Sequence, residues 1–353
     1  MSLNNIKIFL FSLFLYLTLI IGFFYDESLN GGAYGDWTGA YLNPVRDFSL
    51  NFYETLISYD KYGNRHSPVY LIFLSSFLRF DLPLDVIRLL HLHLSIALIF
   101  IFYGCLKLKF KDAEKHYLIL LSLIIFLSPT FRSLSIWPDS RLPGLLFFTI
   151  TIYFYLKYEK TSFEKYLWLT SVSLIIASYI SPNFSVFFIY FFFNIFKKMS
   201  LQRVLLFFIF NIFSALPIFY YIFIMDVNFL ISGQTPLLDN QSVSFNFNFA
   251  DKILLISSII FFHLIPVLIN KGYLNNFVNF FKDNFLMLIF VSVFLIYFFD
   301  YKMSYTGGGV FFHLSNYLFG NEYLFFIISF ISLSFVIHLS NLNIRNLLIF
   351  ALL

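Results

Sequence analysis

The chain has 353 residues, of which 59% are hydrophobic, 23% aromatic and only 12% charged, with a formal net charge of +4. A water-soluble domain carries about a quarter charged residues, so the composition excludes a soluble enzyme and predicts an all-α, polytopic membrane protein. The basic residues sit in short clusters between apolar runs, which excludes a nucleic-acid partner, and the single cysteine, Cys105, excludes an intrachain disulfide.

Apolar runs, many of them near the ~20 residues that cross a bilayer, recur at 8–24, 85–106, 117–131, 142–157, 166–181, 183–196, 204–224, 252–269, 284–299 and 321–340. A partial run begins at Leu347, too short to span, so the expectation is about 10–11 transmembrane helices and either an abrupt end or a chain cut from a longer one. The first run follows Lys7 and leads into Gly22-Phe23-Phe24-Tyr25-Asp26 without a small-x-small cleavage site, so it reads as a retained span.

The run 67–80 is ambiguous by length, and charge decides it. With the N-terminus inside and 67–80 kept on the outer side, Lys107, Lys109, Lys111 and Lys115 fall inside, as do Lys157, Lys160, Lys165, Lys197, Lys198 and Arg203. A spanning 67–80 would send these blocks outside, against the positive-inside rule. The outer face then carries a long first loop, 25–84, a short second one, 132–141, and later ones at 225–251 and 300–320. Polar residues concentrated in loops on one face point to chemistry there.

In the first loop, Asp26 and Glu27 emerge directly from the membrane, followed by Gly31-Gly32 and a further acid, Asp36. Carboxylates partly desolvated at a membrane surface suit general-base work; the plainer reading, a solvated helix end, stands beside it. Segment 38–58 spaces Leu42, Val45, Phe48, Phe52, Leu56 and Ile57 as one helical face, predicting an amphipathic interfacial helix. Arg65 and His66 precede a helix start at Pro68, where an anionic group such as a phosphate, or a lipid headgroup, would be met.

The second loop holds Asp139 between Arg132 and Arg141, an arrangement open to a structural ion pair or to an active-site carboxylate flanked by phosphate-binding arginines. Lys302 precedes the triple glycine Gly307-Gly308-Gly309, which makes either a plain turn or a close backbone approach to a ligand. No His or Cys spacing matches a metal motif.

A first span, an Asp-Glu pair at its outer end, an interfacial helix, His66-Ser67-Pro68-Val69-Tyr70 and the stretch Arg141-Leu142-Pro143-Gly144-Leu145-Leu146-Phe147 together resemble GT-C glycosyltransferases. The nearest branch is that of protein O-mannosyltransferases and lipid A aminoarabinose transferases. The likeness covers roughly 1–225, a GT-C-like catalytic module, with 226–353 as further spans.

The resemblance implies an inverting glycosyltransferase in the cell membrane, with its N-terminus cytoplasmic and its site on the periplasmic or exterior face. It would move a sugar from a polyprenyl-phosphate donor to a glycolipid, glycan or protein acceptor. It implies Asp26, with Glu27 and Asp139, as catalytic carboxylates, and Arg65, His66, Tyr70, Arg132, Arg141 and Lys302 as substrate-binding residues. Asp139 lies upstream of the place that the family's motif gives its acid. No cofactor is required, and a divalent ion between Asp26 and Asp139 stays open. A polysaccharide polymerase or ligase, and a lipid-linked-glycan transporter, are the alternatives. Span interiors almost without charge weigh against the transporter.

Overall fold

The computed structural model describes residues 3–28, 32–64, 66–196, 199–229, 249–268, 271–301 and 309–339. Arg65, Lys302, Gly307, Gly308 and the run from Leu347 lie outside the described residues. Every regular element among the described residues is a helix. Two compact units, Met1–Gln241 and Ser242–Leu353, divide the chain.

In the first unit, α1 (Leu3–Phe24) ends where Asp26 takes a left-handed conformation, φ 52°. Glu27 N–H then donates to the Gly22 carbonyl at 2.8 Å and Asp26 N–H to Phe23 at 3.3 Å. This is the two-bond Schellman closure of a helix C-terminus, so the Asp-Glu pair has a structural origin as the cap of the first helix.

The first long loop is a folded layer. Gly32, at φ 72°, turns the chain into α2 (Ala33–Asp36), followed by a wide turn Trp37–Tyr41, α3 (Leu42–Leu50) and α4 (Phe52–Ile57). The expected single helix over 38–58 is therefore two, broken at Asn51, whose φ of −135° and ψ of 71° are not helical. Trp37, Tyr41, Val45, Phe48 and Tyr59 are buried and share one core with Leu15, Leu19 and Phe23 of α1.

Ser67 caps α5 (Pro68–Arg79), accepting the Val69 N–H at 3.3 Å with Pro68 in the first helical position. Twelve residues rise about 18 Å, so α5 is one of the shorter apolar helices. The long α6 (Leu84–Lys109) ends on Lys107 and Lys109, cations suited to a helix C-terminus. After α7 (Lys115–Leu123), Ser128-Pro129 starts α8 (Pro129–Ile136) at 74° to the preceding helical segment. The residue before a proline leaves the α region, so the run 117–131 is bent, not a single straight span. There follow α9 (Arg141–Thr161), α10 (Glu164–Ile180), α11 (Phe187–Phe196) and α12 (Leu201–Phe219). The run 183–196 opens as a tight 3-10 turn at Pro182–Val186, which shortens its helix.

The second unit comprises α13 (Phe249–Leu268), α14 (Lys271–Asp283), α15 (Phe285–Tyr297), α16 (Val310–Phe319) and α17 (Tyr323–Leu339). Leu254, Leu288, Phe312 and Phe325 form its core. Ser257, Ser258 and Ser329 are fully buried, and the Ser329 hydroxyl donates across to the Leu254 carbonyl at 3.1 Å. Small hydroxyl residues let apolar helices approach closely.

Among the described residues, by length and composition, three helices can cross a membrane, and up to five if each bent pair is one span. That is fewer than the apolar runs predict, because several runs fold as shorter or bent helices. The outer face of α12 supports the bilayer as solvent: Leu206 is 58% and Phe213 65% exposed, with Leu205, Ile209 and Ile212 alongside. An apolar face of this extent is untenable in water. The chain is helical, with several apolar helices that could span a membrane, consistent with a multi-pass membrane protein.

Candidate functional site

Two ionic assemblies lie where the first long loop meets the second. In one, Glu27 folds back along α1. Arg132 on α8 grips its carboxylate with both prongs, Nε to Oε1 at 2.6 Å and Nη2 to Oε2 at 2.5 Å. Arg132 also donates to the Thr18 carbonyl at 3.0 Å and to the Thr18 hydroxyl at 3.1 Å, while Trp137 Nε1 donates to the Glu27 carbonyl at 3.0 Å. A Cβ at Gly22 would overlap the Glu27 carboxylate, so glycine is what lets the side chain lie there. Glu27 and Arg132 are 16% and 14% exposed, and their bonds tie α1 to α8.

Asp26, beside it, is 63% exposed and accepts from Arg88 Nη2 at 2.7 Å. Arg88 is nearly buried. Its guanidinium lies 3.8 Å from the Trp137 ring centre and 4.9 Å from that of Phe23, and it also reaches Asp85 at 3.2 Å. Nothing in the sequence singles out Arg88, which reads as an ordinary charge near the start of α6.

The second assembly is built on Asp139, at the entry to α9 and fully buried. Its Oδ1 accepts from the Arg141 backbone N–H and from Arg141 Nε, both at 2.8 Å, and its Oδ2 accepts from Nη2 at 2.6 Å. The same Nη2 donates to Asp36, from the last turn of α2. Two carboxylates far apart in sequence therefore share one guanidinium. Ser140 adds a hydroxyl 3.1 Å from the buried Tyr41 hydroxyl and 3.4 Å from His66 Nδ1, and the His66 ring stands edge-on to Tyr41 at 4.9 Å. The segment bearing His66 is held by Tyr59, which donates to its carbonyl at 2.8 Å, and by Asn64, whose Oδ1 accepts its backbone N–H at 3.0 Å.

The two acids of this assembly differ electrostatically. Burial pushes the Asp36 carboxyl above its ordinary range, the negative Asp139 pushes it further, and Arg141 only partly opposes them. Asp139 is more deeply buried, yet the hydrogen bonds and charge of Arg141 overcome that burial and hold it below the usual range. The two shifts are opposite in direction, so within the pair Asp139 is favoured as the anion and Asp36 takes a proton more readily. Such a group can accept a proton from a hydroxyl, next to a fixed cation, a histidine and two hydroxyl groups. Asp36 was legible in sequence only as one more acid after the glycines. Its position one turn into a helix that starts at Gly32 is the feature that aims it at Arg141.

The structure thus brings together Asp139, Arg141 and His66 of the predicted residues, and places Asp26, Glu27 and Arg132 in the neighbouring assembly. Tyr70 it places in the core, 3% exposed, with its hydroxyl 2.5 Å from His91 Nδ1. His91 Nε2 is 2.8 Å from the Leu134 carbonyl. A carbonyl only accepts, so Nε2 carries hydrogen and Nδ1 takes the Tyr70 hydroxyl proton in the neutral ring. Tyr70 therefore positions α8 through His91, with no surface to offer a substrate. Among the described residues no three of His, Cys, Asp and Glu gather as a metal-holding group; Asp26 and Asp139 each have their own guanidinium.

A cavity of about 590 Å³ opens between α10, α11 and α12, lined by Ile175, Phe188, Phe192, Phe208, Ile212 and Phe219 among others. Ser67, the cap of α5 and the chain neighbour of His66, lines it too. The chain matches no family model, no curated protein and no solved structure.

Proposed function

We propose that this protein is an inverting membrane glycosyltransferase that moves a sugar from a polyprenyl-phosphate donor to an acceptor at the outer face of the membrane. The observation that carries the reading is the Asp36–Arg141–Asp139 trio with His66, whose chain neighbour Ser67 lines an apolar cavity between α10, α11 and α12. A lipid-linked donor has that same division, a hydrocarbon tail that stays in the bilayer and a sugar-phosphate that needs polar groups. The cavity falls within the ~300–1,000 Å³ of ordinary ligand pockets, enough for the near end of the tail, with the remainder in lipid. The resemblance of the loop motifs to GT-C enzymes supports the same reading. So does the clustering of lysines in the loops that follow alternate runs, which under the positive-inside rule favours an inner N-terminus and outer site loops.

His66, with Arg65 next to it in sequence, is the nearest group to meet the departing phosphate, where negative charge develops. Asp139 fixes Arg141, and a carboxylate of the first loop receives the acceptor's proton. The acceptor class, whether glycolipid, glycan or protein, follows from the experiment. Purified protein in lipid nanodiscs is incubated with radiolabelled polyprenyl-phosphate hexoses and a membrane extract, and free polyprenyl phosphate is measured. The reading expects carrier release from at least one donor that is lost on replacing Arg141 with alanine. Release from none would refute it and favour a polymerase, ligase or transporter of lipid-linked glycans.

A further inference from the structure

We infer that Asp36, rather than Asp26, is the group that takes the acceptor's proton, with Arg141 and Asp139 holding it for that task. The inference rests on the transferase reading above and assigns the residue within it.

The two candidates are built differently. Asp26 is a helix cap: its left-handed backbone closes α1, and its side chain is 63% exposed opposite Arg88. Asp36 is about half as exposed, at 32%, and is held by the guanidinium that also holds the buried Asp139. A general base must keep a fixed direction toward the proton it takes. Helix α2 and Arg141 give Asp36 that direction, whereas Asp26 stands on a loop beyond a helix end.

Charge balance points the same way. Asp36 and Asp139 against one Arg141 leave the trio one negative charge in excess. Asp139 already accepts three hydrogen bonds from Arg141 and stays ionised. A proton arriving at Asp36 leaves an exact match of Arg141 with Asp139. The transfer step is then balanced. The acceptor oxygen forms its bond to the anomeric carbon, the bond from that carbon to the phosphate oxygen breaks with its electron pair leaving on the phosphate, and the hydroxyl proton goes to an Asp36 oxygen.

Arg141, Asp139 and His66 are the charged or titratable groups that face Asp36, and the buried Tyr41 phenol is pushed up and remains neutral. Because burial and Asp139 raise the Asp36 carboxyl, transfer falls as pH drops through that raised value, at a higher pH than an ordinary carboxylate would give.

The test compares wild type, Asp36→Asn, Asp36→Glu and Asp26→Asn in nanodiscs, reading polyprenyl-phosphate release from a polyprenyl-phosphate hexose across pH. Asp36→Asn is expected to lower kcat by ~10²–10⁴-fold with KM for the donor little changed and the acid limb of the profile gone. Asp36→Glu recovers part of the rate, and Asp26→Asn loses far less. Near-normal turnover in Asp36→Asn, with the loss in Asp26→Asn instead, would overturn the assignment while leaving the transferase reading intact. A second readout needs no turnover: labelling by a water-soluble carbodiimide, which attacks protonated carboxyls, is followed at each aspartate by peptide mass spectrometry. Asp36 is expected to label at a higher pH than an ordinary carboxyl does, and labelling confined to the ordinary carboxyl range would overturn the inference even if no donor reacts.

Discussion

At the scale of single residues, the side chains that matter fall into anchors and reactive groups, and burial separates them. Tyr70 belongs to the anchors. Its hydroxyl satisfies a buried imidazole nitrogen, and an orphaned buried acceptor costs about 1–3 kcal/mol. Tyr70→Phe should therefore lower the thermal stability of the purified protein by an amount in that range and leave donor KM unchanged; a specific rise in KM without destabilisation would return Tyr70 to the substrate surface. Gly22 and Glu27 form a coupled pair: Gly22→Ala should destabilise by about 1–3 kcal/mol because its Cβ meets the clamped Glu27 carboxylate. In a Glu27→Ala background the same change should be neutral or favourable, since alanine is the better helix former by about 1 kcal/mol. A double-mutant cycle on unfolding midpoints measures this coupling. The residues of the site were legible in part. Asp139, Arg141 and His66 stand out as charges in short loops, but the partner of Arg141 on α2 depends on how the first loop folds, and Arg88 depends on a Trp137 stack that no spacing reveals.

At the scale of elements, capping explains where the loop helices begin and why the site residues sit at their ends. Ser67-Pro68 and Ser128-Pro129 are the same device used twice, a serine accepting from the helix's own N–H with proline in the first turn. Ser67→Ala should cost about 1 kcal/mol and fray the start of α5, next to His66. Hydrogen exchange at the first turn of α5 checks it, with faster exchange there and unchanged exchange in α8 as the expected pattern. The helix start at Pro68 was readable in the sequence. The break of the interfacial helix at Asn51 and the bend at Ser128 were not read from the apolar periodicity, although Pro129 is the local signal for the second. Apolar runs mark where lipid or core contact occurs, and a bent helix and a straight one leave the same run.

At the scale of the molecule, the exposed apolar face of α12 and the lysine distribution make one topological claim: the site loops lie on the side of the membrane away from Lys107, Lys109, Lys111 and Lys115. Single cysteines placed at Ser28 and at Lys111 in a Cys105→Ser background should react with an impermeant thiol reagent from opposite sides of intact cells, Ser28 from outside; the reverse would move the site to the interior. The central claim, that a lipid-phosphate substrate spans the cavity and the Asp36–Arg141–Asp139 cluster, is tested most directly by an electron cryomicroscopy structure in nanodiscs with polyprenyl phosphate added. A prenyl chain is expected between α10, α11 and α12, with its phosphate beside His66 and Ser67. Carrier bound elsewhere on the protein, with this cavity and cluster untouched at saturating lipid, would contradict it.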